Sequence, residues 1–101
     1  MKKVIDGLVY NTATAQEIAS YSYLYANDFR HVDEALYKTK KGNYFLAGSG
    51  GPMSKYAVSV GNSSTGSEGI IPLTEEGARE WCERSDIEAD IIEQEFTVTE
   101  A

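Results

Sequence analysis

A chain of 101 residues with 42% apolar residues is long enough for one domain with a single modest core. Its formal net charge of −7 argues against direct nucleic-acid binding, which needs a basic surface to displace counterions. No apolar run reaches the roughly 18 residues of a membrane span, the opening "MKKVIDGLVY" lacks the apolar stretch of a secretory signal, and Cys82 alone can form no internal disulfide, so the expected setting is a reducing cytoplasm.

Taken in chain order, "KVIDGLVYN" reads as a strand or a small hairpin turning at Asp6-Gly7. "TATAQEIASY" follows as a short helix, with Thr14 and Glu17 at capping-box spacing, Asn11 and Thr12 as alternative caps, and Ala15, Ile18 and Ala19 on one face. Tyr21, Tyr23 and Tyr25 alternate, so they share one face where the chain is extended. "VDEALYKT" and "NYFLAG", joined by "KKG", form the clearest unit, a hairpin with Ala35, Tyr37, Tyr44 and Leu46 as half-buried strand residues.

Residues 48–69, rich in glycine and serine, read as mostly loop, with "KYAVSV" a short strand or a turn of helix inside it. The glycines there suit close packing of Pro52-Met53 and Tyr56 against a sheet. "IIPL" reads as a buried edge, because Pro72 cannot donate to a ladder. "TEEGAREWCERS" is a helix capped by Thr74, with Glu75 and Glu76 in its first turn and Ala78, Trp81, Cys82 and Ser85 inward. From Ile92 the chain reads as a strand, Ile92, Phe96 and Val98 opposing Glu93, Glu95 and Thr97. A bend, a bulge or a late strand start near Asp90-Ile91 would reconcile this with the opposite parity of Ile87, Ala89 and Ile91. The order β-α-β-β-loop-β-α-β describes one α+β domain over residues 1–101. Its mostly antiparallel sheet has about four to five strands, with two helices packed on it.

No catalytic set emerges. His31 and Cys82 are single copies, and Cys82 lies beside Trp81 on a face expected to be buried, where a thiol is inert. Two such residues cannot close a zinc site. "GSGGPMSK" matches neither phosphate-loop spacing. Asp86, Glu88 and Asp90 begin like a calcium loop but lack its glycine and distal glutamate. The expectation is a non-enzymatic protein with no cofactor.

Charge is the remaining signal. Residues 75–101 hold ten acids against two arginines, a formal −8, whereas residues 1–74 hold six acids and seven bases. Glu75 with Arg79 and Glu80 with Arg84 stand at favourable i,i+4 spacing, which leaves Glu76 and Glu83 without a base. With Asp86, Glu88, Asp90, Glu93 and Glu95 they define a candidate acidic face for a partner with a basic surface. An ordinary solvated surface is the competing reading. Reversal of Glu93 and Glu95 to lysine is expected to weaken that binding strongly and leave the fold intact. Two alternatives stand beside it: a binding loop built on Ser54, Lys55 and Tyr56 with neighbouring tyrosines, and a homodimer formed through an exposed edge strand.

The Gly-Gly-Pro-Met-Ser-Lys-Tyr-Ala run at 50–57, Ile-Ile-Pro-Leu-Thr at 70–74 and the opening "KVIDGLVYNTATA" resemble short bacterial proteins carried on prophages and other mobile elements. The likeness spans most of residues 2–84 and implies a mobile-element origin. By analogy of size and charge with anti-CRISPR and antirestriction inhibitors, it implies a DNA-mimicking face that blocks a CRISPR or restriction nuclease in the bacterial cytoplasm.

Overall fold

The computed structural model describes residues 1–25 and 27–101. At its centre is a four-stranded antiparallel sheet, β3 (Gln16–Tyr23), β4 (Val32–Lys38), β5 (Tyr44–Gly50) and β8 (Ser67–Leu73), in the order β3-β4-β5-β8. A hairpin of β1 (Lys2–Ile5) and β2 (Leu8–Asn11) covers one face, and α1 (Glu75–Arg84) and α2 (Ala89–Glu95) cover the other. A separate ribbon, β6 (Val58–Val60) with β7 (Ser63–Thr65), interrupts the chain between β5 and β8. The α+β class and the antiparallel sheet agree with the sequence reading.

The first hairpin turns where expected. Asp6 and Gly7 both take positive φ, 51° and 78°, the pair of left-handed residues that matches the right-handed twist of the flanking strands. Tyr10 and Ile5 face inward onto Phe45, Ala47 and Ile70. Because both faces of β5 are covered, nearly all of its side chains are buried, which explains why its sequence shows little polar alternation.

Three segments differ from the sequence reading. The segment 12–21 is not a helix: residues 16–23 form β3, paired along β4 from Gln16↔Lys38 to Tyr23↔Val32. Its capping box is unused, since the Asn11 side chain accepts from the Ala13 amide at 3.0 Å and the Thr14 and Ala15 amides donate to the Asn11 carbonyl, closing a turn instead. The adjacent Ile18 and Ala19, which break strict alternation, are accommodated by a register shift between Glu17 and Ala19.

The terminal segment is likewise not a strand. Ile87, Ile91, Ile92 and Phe96 recur at helical spacing, and all pack against the core, which is why strand parity failed near Asp90. Residues 48–69 are also more ordered than a loop, since β5 extends to Gly50, β8 begins at Ser67 and the β6–β7 ribbon lies between.

The helix α1 forms as its sequence dictates. The Thr74 hydroxyl accepts from the Gly77 amide at 3.0 Å, and Ala78, Trp81, Cys82 and Ser85 are buried. It ends in a left-handed Asp86, φ 54°, with the Ile87 amide donating to the Cys82 carbonyl at 3.1 Å; Ile87 then packs on the core, completing a Schellman stop.

Candidate partner-binding face

The two helices form one layer. Thr74 follows Leu73, which pairs with Tyr44 at one end of the sheet, and Trp81 reaches Glu34 farther along β4. The helix α2 returns, and its last residue, Glu95, meets Lys38 and Tyr44. Apolar side chains of both helices point to Leu36, Tyr44 and Leu46, so the charged side chains are left outside.

On α1, Glu76, Glu80 and Glu83 stand at i, i+4 and i+7 and are all exposed. At about 1.5 Å rise per residue they are spaced roughly 6 and 4.5 Å along the axis, against about 3.4 Å per phosphate on one DNA strand. Asp86 and Glu88 in the connector, with Asp90 and Glu93 on α2, are also exposed and continue the layer. Glu80 extends the candidate set. Its spacing from Glu76 and Glu83 was visible in the sequence, but pairing with Arg84 was expected to neutralise it.

Two of the named acids have partners within the protein. Glu83 is not without a base: its carboxylate accepts from Arg79 Nη1 at 2.8 Å, so Arg79 pairs toward the C-terminus and leaves Glu75 at the positive start of the helix. Glu95 turns inward, accepting from the Tyr44 hydroxyl at 2.5 Å and pairing with Lys38 Nζ at 3.0 Å. Burial, then the Glu95 carboxylate, pushes the Tyr44 hydroxyl up to about 12, and hydrogen bonding to Glu95 raises Lys38. Glu95 is therefore a clasp holding α2 to the sheet. Its reversal to lysine would place like charges beside Lys38, so the expectation that this change spares the fold is corrected.

The glycine-rich loop is also engaged internally. The Ser54 hydroxyl donates to the Gly51 carbonyl at 2.7 Å and accepts from the Tyr56 amide at 3.2 Å. Tyr56 donates to Glu34 at 2.6 Å, Lys55 Nζ lies 2.5 Å from the same carboxylate, and Trp81 Nε1 donates to its other oxygen at 3.1 Å. Glu34 is thus a buried acid bonded to the loop and to α1 at once. Burial and this bond raise the Tyr56 hydroxyl well above its ordinary value. The ring of Tyr56 fits there because β5 carries Gly48: a Cβ on Gly48 would strike the Tyr56 ring and come within 2.8 Å of the Asp33 carbonyl, whereas one on Gly69 would meet the ring at an ordinary 3.8 Å. The expected close packing of Tyr56 on the sheet is present, and Ser54, Lys55 and Tyr56 form a structural junction. Pattern reading missed Glu34 because an acid among strand residues looks like any solvent-facing position.

His31 and Cys82 occupy different places. The His31 ring Nδ1 lies 2.8 Å from the Asp28 carbonyl in the β3–β4 connection, whereas Cys82 is fully buried under α1 and burial raises its thiol pKa. Among the described residues no three His, Cys, Asp or Glu side chains are grouped to hold a metal ion, and no helix is long and apolar enough to cross a membrane. Comparison of the chain with protein-family models, with curated proteins and with solved structures finds no match.

Proposed function

We propose that the protein is a non-enzymatic inhibitor carried by a phage or other mobile element. Its acidic helical layer occupies the basic, nucleic-acid-binding channel of a CRISPR or restriction nuclease in the bacterial cytoplasm. The observation that carries this reading is the split of one helical layer into a packed apolar inner face and an exposed outer face. That outer face bears Glu76, Glu80, Glu83, Asp86, Glu88, Asp90 and Glu93. Its backbone is fixed by the Thr74 cap, the Asp86 stop and the Glu95 clasp, so these carboxylates meet a cationic channel without prior ordering of the chain.

Inhibition is competitive and electrostatic. The exposed carboxylates, sparser along α1 than the phosphates of one DNA strand, accept hydrogen bonds from channel lysines and arginines, and the summed field accelerates encounter. Exposed charges are screened beyond about 8 Å at physiological ionic strength, so association slows as salt rises. The glycine-rich loop is the weaker candidate because its polar side chains already bond to Glu34 and Gly51.

The test is capture of purified RNA-guided and restriction nucleases by the immobilised protein, with and without competing DNA. A Glu76→Lys, Glu80→Lys, Glu93→Lys triple variant is run beside the wild type. Salt- and DNA-sensitive capture by the wild type and none by the variant is the expected result. Equal capture by both proteins would sink the mimicry.

A further inference from the structure

The two helices of the acidic layer are secured in different ways. Along α1, Thr74 caps the first turn, and Ala78, Trp81 and Cys82 are buried. The seven residues of α2 have no side-chain cap, and none of them is buried. No base stands in its last turn, where Glu93 and Glu95 face the negative end of the helix. A helix this short does not persist in water on its own. Residues 85–101 hold six acids and no base, so the segment also repels itself. A cleft of about 170 Å³, lined by Gln16, Glu17, Ile18, Ile91, Gln94 and Glu95, opens between α2 and β3.

What holds α2 is concentrated at one residue of β5. Tyr44 donates its hydroxyl to Glu95 at 2.5 Å, stands with its ring centre 5.4 Å from that of Phe96, and lies under Lys38 Nζ at 5.5 Å. Lys38 completes the contact with Glu95 at 3.0 Å, their side chains 36% and 16% exposed. Among the described residues this is the only ion pair that ties residues 85–101 to the sheet. Cys82 is fully buried in the same apolar cluster as Phe96, and Ile87, Ile91 and Ile92 pack against that cluster.

We propose that α2 is a strap. Residues 89–96 swing off the sheet together while α1 and the four-stranded sheet stay folded, and the contact of Glu95 with Lys38 and Tyr44 sets how often they do so. The closed form predominates, and opening gives water access to Cys82. Opening also carries Asp90 and Glu93 out of the acidic layer. A partner bound to that layer therefore holds the strap shut, a consequence that rests on the proposed function, whereas the strap itself does not.

The test is the rate at which the aromatic disulfide DTNB modifies Cys82 in the full chain, from zero to moderate urea. The wild-type rate should rise with urea at most about half as steeply as global unfolding does, since local opening exposes little surface. Lys38→Met keeps an apolar stem over Tyr44 and removes the charge. It should label about three- to fivefold faster with an unchanged circular dichroism spectrum. Arg79→Met, which breaks an ion pair within α1, should label at the wild-type rate. Should Lys38→Met misfold, Lys38→Gln provides the same readout. A wild-type rate with the full urea dependence of unfolding overturns the proposal. So does a Lys38 variant that labels no faster than wild type, or an equal acceleration by Arg79→Met. Shallow urea dependence in a protein that captures no nuclease upholds the strap and counts against the inhibitor reading alone.

Discussion

Glu34 and Glu93 carry the same carboxylate to opposite fates. Glu34, on a central strand, is 6% exposed and holds Tyr56, Lys55 and Trp81 together, so loop, sheet and helix meet on two oxygen atoms. Glu93, on α2, is exposed and belongs to a layer of acids that leaves the apolar packing beneath it undisturbed. The contrast teaches that local density of acids says little about their work. A carboxylate whose donors are supplied by the fold is structural, and one left facing water remains available to a partner. Glu95 and Glu83 lie between these limits, each engaged by one or two neighbours on the edge of the layer.

The comparison breaks most readily at Glu34. Glu34→Ala leaves the Trp81 indole N–H and the Tyr56 hydroxyl buried without their acceptor, and should lower unfolding free energy in urea by about 3 kcal/mol. A loss under about 0.5 kcal/mol would mean that the junction contributes no more than a surface site. Gly48→Ala tests the same junction sterically. Its methyl group collides with the Tyr56 ring and the Asp33 carbonyl, for an expected loss of about 1–3 kcal/mol and a shift in tyrosine fluorescence as Tyr56 is displaced.

Tyr44→Phe removes one hydrogen bond to Glu95 and should cost about 1 kcal/mol at neutral pH. It should also alter the alkaline limb of stability. Because the folded state raises the Tyr44 hydroxyl from 10.0 to about 12, folding favours its protonated form. That contribution is complete below about pH 10 and is lost as pH rises through about 12. Tyr56 shifts in the same direction and steepens the loss. Denaturant midpoints measured across this window should fall less steeply in the variant than in the wild type.

The smallest effect on stability belongs to the outer layer. The Glu76→Lys, Glu80→Lys, Glu93→Lys variant should stay within about 0.5 kcal/mol of the wild type by the same urea measurement while losing capture. A large loss of stability would show that these acids serve the fold and would erase the distinction from Glu34.

Residue order alone determined the elements whose local chemistry and periodicity agree. The Asp6-Gly7 turn requires left-handed residues, the Lys40-Lys41-Gly42 hairpin joins two β-rich runs, and α1 carries its own cap and a clean apolar stripe. The exposed acids of α1 were legible for the same reason, since helical spacing sorts them from Ala78, Trp81 and Cys82. The tertiary structure decided the rest. Residues 16–23 hold apolar neighbours compatible with a short helix, and they became a strand because β4 offered a ladder and a bulge could absorb Ile18. Residues 89–95 became a helix because Ile91, Ile92 and Phe96 had a sheet face to cover. Whether an acid serves the fold or faces water was decided there too, because the donors that hold Glu34 and Glu95 come from residues 21 to 57 positions away in the chain.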